Sequence, residues 1–298
     1  MGITVIPAYR VVSTLARKAR NQSYDDAVSS MEKGLREYVR SLLSMLHPSI
    51  SHLGERSVIA QFGDPEPEAL LTALAEIDAR DPKAIVDETL ARCAKVLSRP
   101  DLSARVFLFP GDGESRVLVK QMNGVIGFSL GSQAMVVFLW PADNWQTWLA
   151  YTVAHEYAHL VRNLLFPRSP QGGKLMYTKT QTAETLVDAM VTEGIADHFA
   201  TNMCTDVLPP WTDAFTPEQS ERLWPRIRRR LEVSDMNEIR RMLFGDSDRI
   251  PTWTGYKYGY QIVETYLEKH GGVEPTSLVG LSAKTIFEGA RFDPTRTR

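Results

Sequence analysis

The sequence predicts an α+β fold with a small, mostly antiparallel sheet and a largely helical remainder. Three observations carry that reading. Apolar residues recur at helical spacing through the first hundred residues, and strand-length apolar segments separated by turn dipeptides fill residues 104–139. Helical spacing then returns after Pro141 and continues to residue 290. Helices, then strands, then helices again is the order of an α+β chain, not of alternating βαβ units.

Taken in order, Ile3 to Ile6 suit a short strand before Pro7. A helix is expected from Ser23, with Asp26 three residues on as an approximate capping box. Met31, Leu35, Val39, Leu42, Leu43 and Leu46 carry its apolar face, and His47-Pro48 ends it. A polar link with Gly63, Pro65 and Pro67 as breakers follows, then helices over 67–79 and 82–98. Arg99-Pro100-Asp101 closes this half, so the expected organisation is a helical N-terminal region, 1–100, ahead of a second domain, 101–298. Gly111-Asp112-Gly113 marks a turn. Val117–Lys120, Val125–Leu130 and Ala134–Leu139 read as strands. Asn123-Gly124 is a hairpin dipeptide between the first two, and Gly131-Ser132 lies between the last two. After Pro141, helices are expected over 143–165, 181–204, 217–232, 235–243, 256–270 and 281–290.

Composition excludes several function classes. The 298 residues carry 34 Lys and Arg against 36 Asp and Glu, a net charge of −2, which is not the basic balance of a nucleic-acid binder. Hydrophobic residues make up 43%, too many for a long disordered chain. Two cysteines cannot frame a disulfide scaffold, so Cys93 and Cys204 are expected as reduced thiols. No run approaches eighteen apolar residues, and the most apolar stretch, Ala134–Trp140, is strand-length. At the N-terminus the basic residues follow the short apolar stretch, the reverse of a signal peptide. The expectation is a soluble, cytoplasmic protein with neither nucleic acid nor membrane as partner. No feature assigns an oligomeric state.

One motif points to chemistry. Residues 153–160 read Val-Ala-His-Glu-Tyr-Ala-His-Leu, an H-E-x-x-H arrangement of His155, Glu156 and His159. On a helix, positions i and i+4 stack on one face, so both imidazoles can reach one ion, Zn2+. Glu156 stands beside them, where a carboxylate can take the proton of a metal-bound water. Composition alone would produce such a motif about once in a hundred similar sequences. Its setting among Trp148, Leu149, Val153, Ala154, Ala158, Leu160 and Val161 makes it a mostly apolar helix. Two histidines and a glutamate there need polar partners, and a metal supplies one. A catalytic zinc takes three protein ligands and keeps one position open. Glu193 and Asp197 lie at i and i+4 downstream: Glu193 is the candidate third ligand, and Asp197 the candidate acceptor that orients a ligand histidine. Gly194 and Ala196 are small enough to let this helix pack closely against the zinc helix. Glu184 and Asp188 share the spacing but lack small neighbours, and His198 points about 100° away from Asp197.

The His155-Glu156-x-x-His159 and Glu193-x-x-x-Asp197 pair resembles the gluzincin pattern of thermolysin-like and aminopeptidase-like metallopeptidases. The wording around it, A-H-E-Y-A-H-L and T-E-G-I-A-D-H-F-A, resembles more closely a family of bacterial predicted zinc-dependent proteases, over roughly residues 104–290. The resemblance implies a zincin-like catalytic domain and a peptide or protein substrate. It also implies Tyr256 as the oxyanion donor, since Tyr256-x-x-Gly259 opening a helix is similar to the segment that carries the catalytic tyrosine in zinc aminopeptidases. Tyr260 shares a helix face with Tyr256 and is the second candidate, while Tyr258 points away. The 33 residues between His159 and Glu193 exceed the spacing in those families. A loop over Phe166–Thr180, with Pro167, Pro170, Gly172 and Gly173, is expected to absorb the excess and to flank or cover the cleft. The segment 127–140 is the candidate substrate edge, with Gly131 and Ser132 allowing close backbone approach. The Arg226–Arg230 run sits among acidic residues and reads as a salt-bridged helix face. Two other readings stand beside the peptidase. One is a zinc hydrolase of a non-peptide amide or ester, and the other is a non-catalytic zinc protein that binds a partner in the cleft.

Overall fold

The computed structural model describes residues 2–46, 48–172, 174–246 and 249–295. His47, named above at a helix end, and Gly173, named in the expected loop, lie outside them. The chain forms two compact units, Met1–Leu160 and Val161–Arg298, and the division falls inside the helix that carries the H-E-x-x-H motif.

The first unit joins N-terminal helices to a four-stranded sheet. Strand β1 (Gly2–Ile6) is followed by helices α1 (Tyr9–Ala19), α2 (Tyr24–Leu43), α3 (Pro48–Phe62), α4 (Pro67–Ala79) and α5 (Pro82–Val96). Strands β2 (Ser103–Pro110), β3 (Val125–Leu130) and β4 (Ala134–Leu139) come next, and then helix α6 (Trp145–Leu165). The strand order is β1-β2-β4-β3. β1 and β4 run parallel to β2, and β3 pairs antiparallel with β4, so β3 is an antiparallel edge on a parallel core. Every residue of β4 is buried, as a strand covered on both faces requires. The strand predicted over residues 3–6 therefore belongs to the same sheet as the central strands, one hundred residues away in sequence.

Helix starts follow local chemistry. Ser23 caps α2, its Oγ accepting from the Asp26 backbone N–H, and its hydroxyl also donates to Asp26 Oδ2 at 2.6 Å. Proline at the first positions of α4 and α5 removes a donor that would have no helical partner. Residues 9–19 form α1, whose buried stripe is Tyr9, Val12, Ala16 and Ala19. Two expectations are corrected. The expected polar link contains α3, which buries Val58 and Phe62 one turn apart. Val117–Gln121 is a helical turn, not a strand, so Asn123-Gly124 leads from that turn into β3. Asn123 and Gly124 both take positive φ, 47° and 81°, which is why this dipeptide reads as a tight turn. The true hairpin is β3–β4, closed through Gly131 at φ 58°.

The second unit holds the remaining helices and a small antiparallel sheet, β5 (Arg168–Gln171), β6 (Lys174–Tyr177) and β7 (Thr182–Ala183). The segment expected as an irregular loop is thus sheet structure. Arg168 ties it down, ion-paired to buried Glu184 and donating from Nη2 to Asn163 Oδ1 at 2.7 Å. Helices α7 (Leu186–Met203), α8 (Pro217–Arg228), α9 (Met236–Phe244), α10 (Thr254–Lys269), α11 (Pro275–Leu278) and α12 (Ala283–Ala290) complete the unit. Five of these six lie where helical spacing places them, and the four-residue α11 is additional. Both cysteines are thiols. Among the described residues, no helix is long and apolar enough to cross a membrane.

Candidate metal centre

Helix α6 brings His155, Glu156 and His159 together, with one donor atom from each lying within 4.8 Å of the others. All three are buried, at 7%, 5% and 8% exposure. Three such polar groups inside an apolar helix face demand partners. The two imidazoles face each other, with His155 Nε2 and His159 Nε2 3.0 Å apart. Two nitrogens bound tetrahedrally to one zinc at ordinary Zn–N distances stand about 3.3 Å apart. The pair therefore needs to open by only a few tenths of an ångström to take the ion, and two convergent neutral nitrogens are the donors zinc prefers. On the back of the same helix, Tyr157 donates its hydroxyl to the Leu97 carbonyl at 2.8 Å, which fixes the rotation of α6 about its axis.

Glu156 is held from the sheet. Ser129 of β3 donates to Glu156 Oε2 at 2.7 Å, and its Oγ lies 3.2 Å from the Glu156 carbonyl oxygen. Two residues earlier, Gly127 leaves the space that Glu156 fills. A Cβ on Gly127 would stand 2.7 Å from Thr152 Cγ2 and 2.9 Å from Glu156 Cγ. Gly131 and Ser132 form the hairpin turn between β3 and β4, and Gly127 and Ser129 are the β3 residues that meet the helix. Alternation signals them, because Gly127 and Ser129 are the small residues on one face of β3 while Phe128 turns the other way onto Phe138. The candidate substrate edge also narrows. β4 is interior, and β3 is the strand with an outer edge.

Glu193, Asp197, Tyr256 and Tyr260 lie in the second unit, on α7 and α10. These helices cross glycine on glycine, since a Cβ on Gly194 would meet the Gly259 carbonyl oxygen at 2.2 Å. Gly194 thus serves the α7–α10 crossing. Asp197 is fully buried and accepts a hydrogen bond from Trp211 Nε1 at 2.7 Å. The Trp211 ring in turn lies 4.9 Å from that of Tyr256, so one indole links the candidate orienting carboxylate to the candidate oxyanion donor. Spacing could not announce Trp211, which lies in a separate short helical turn, Pro210–Asp213. Tyr260 stacks on His198 at 4.2 Å, and His198 Nε2 donates to the Tyr260 carbonyl. Burial raises the Tyr260 phenol above its usual range and lowers His198. Tyr258 points away, fully buried, and its hydroxyl donates to the Ser220 carbonyl at 2.8 Å.

The competing carboxylates have other work. Asp188 completes a capping box with Thr185 at the start of α7, and Glu184 pairs with Arg168. Burial raises the Glu184 carboxyl, against the opposing pull of Arg168. Arg162, three residues past His159, is buried and pushed down to about 10 by desolvation. Its Nη1 donates to the carbonyls of Val279 and Leu281. In the Arg226–Arg230 run, Arg230 pairs with Glu238, which also pairs with Arg241.

A family model described as "Predicted Zn-dependent protease (DUF2268)" matches residues 83–288, more than half of the chain. Among curated proteins, the uncharacterized protein YjfC of Bacillus subtilis (strain 168) is 30% identical over 110 residues, which span 34% of this chain and 36% of that protein. The chain thus covers about a third of that relative. No solved structure matches it significantly.

Proposed function

The chain belongs to the family described as predicted Zn-dependent proteases, and from that premise we propose that it is a zinc peptidase of gluzincin type. The observation that supports this best is the convergence of His155 and His159 beside a buried carboxylate held in place by a serine. His155 and His159 would hold the metal, with Glu193 as third ligand on the strength of its spacing to Asp197. Bound zinc would supply a water of lowered pKa and polarise the scissile carbonyl. Glu156 takes the proton from the attacking water and later delivers it to the leaving amine. Asp197 orients a ligand histidine, and Tyr256 donates to the developing oxyanion, with Tyr260 second. An extended peptide or protein substrate pairs with the outer edge of β3. The segment 166–180 flanks the cleft.

The test is a peptide mixture read by mass spectrometry, with zinc-loaded protein compared with protein stripped by a chelator. Cleavage that disappears on stripping and returns with zinc is expected. Intact peptides alongside turnover of a simple ester or amide would favour the non-peptide hydrolase. No turnover of either kind by the loaded protein would favour a binding role. For the third ligand, Glu193→Gln is expected to weaken zinc affinity by at least about 10-fold, read by competition with a chromophoric chelator. Wild-type affinity in that variant would remove Glu193 from the ligand set.

A further inference from the structure

We propose that Ser129 is a positioning residue for Glu156, so that the edge strand, and not α6 alone, sets where the base stands. This rests on the peptidase reading only for its kinetic consequence; the contact itself does not depend on it. A serine hydroxyl carries one proton to donate. Of the two oxygens of Glu156 within reach, Oε2 at 2.7 Å is better placed than the carbonyl at 3.2 Å, and a bond to a carboxylate is the stronger kind. Glu156 is 5% exposed, so little water competes for that oxygen.

The cradle has two halves at strand spacing. Gly127 offers space and Ser129 offers a donor, both on the face of β3 turned to α6. A Cβ at Gly127 would press on Glu156 Cγ at 2.9 Å, and Thr152, one helical turn before Glu156, closes the same space at 2.7 Å. The carboxylate is therefore confined on the strand side by Gly127 and pinned at Oε2 by Ser129. Oε1 is left as the oxygen that Ser129 does not engage, and it becomes the oxygen that receives the proton. The same strand presents the outer edge assigned to substrate, so one element places both the substrate backbone and the base.

The experiment uses full-length, zinc-loaded protein and a peptide shown to be cleaved by the wild type. Ser129→Ala is expected to lower kcat by about 10- to 100-fold, with KM within about threefold, and with zinc stoichiometry and melting temperature unchanged. Ser129→Thr, which keeps the hydroxyl, is expected to recover most of the lost kcat. Wild-type kcat in Ser129→Ala overturns the proposal. So does a loss that tracks zinc content or melting temperature, or one that threonine does not repair, since these mark a merely structural serine. If the wild type cleaves no peptide, the peptidase reading fails by itself. The positioning is then read from crystal structures of metal-free wild type and Ser129→Ala. Displacement of the Glu156 carboxylate in the variant supports the cradle, and an unmoved carboxylate overturns it.

Discussion

Glu156→Gln is expected to lower peptide turnover by about 10³-fold or more while zinc remains at wild-type stoichiometry. Glutamine matches glutamate in shape, and Ser129 can still donate to its amide oxygen, so the cradle of β3 and α6 is kept. The convergence of His155 and His159 does not depend on the side chain between them. Only the ability to accept and return a proton is removed, and a positioned general base is worth roughly 10² to 10⁴ in rate. The effect should fall on kcat, because the carboxylate acts on the water rather than on the peptide. Mass spectrometry of the products and metal analysis of the same preparation measure the two halves together. Full activity with zinc bound would sink the mechanism. Parallel loss of zinc and activity would show that Glu156 serves the metal site and not the proton. His159→Ala is the contrasting variant, in which both are lost.

What the sequence makes legible follows from the range of the forces involved. The H-E-x-x-H motif is readable because its geometry is local: four residues on a helix bring two rings to one face whatever surrounds them. The same holds for the cap at Ser23 and for the helical stripes of α6 to α10. Ser129 is legible only in part. Alternation puts it on the same face of β3 as Gly127, but nothing local says that this face meets Glu156, 27 residues away on another kind of element. Gly194 shows an intermediate case. Its smallness announces a close approach, but only the fold says that the approaching backbone is α10. Val117–Gln121 fails as a strand because β-branched residues are a weak prior that surrounding structure overrides. Sheet order is the least local property of all. Nothing near residue 3 indicates that it pairs with Ala104.

Gly259→Val is expected to destabilise the second unit by at least about 3 kcal/mol, seen as a lower urea midpoint and melting temperature. At this crossing the backbones of α7 and α10 touch. A Cβ on Gly259 would lie 2.0 Å from the Met190 carbonyl oxygen, where carbon and oxygen ordinarily stay about 3.3 Å apart. The obstacle is main chain, so no side-chain rotation relieves it. The helices must separate by more than an ångström, and the surroundings resist that: Met190, Tyr258, Ile262 and Val263 are all fully buried. Gly194 meets the reciprocal obstacle at Gly259, so Gly194→Val should cost a similar amount. Gly271→Ala is the control, because a Cβ there meets nothing within 4 Å, and it should stay within about 0.5 kcal/mol of wild type. Function should suffer with stability, for Glu193 and Tyr260 are the sequence neighbours of the two glycines. Separating the helices would shift the candidate third ligand and the tyrosine face together. A wild-type urea midpoint for Gly259→Val would mean that α7 and α10 do not cross there. Lost stability with intact turnover of the folded fraction would instead free Tyr256 and Tyr260 from any role in the chemistry.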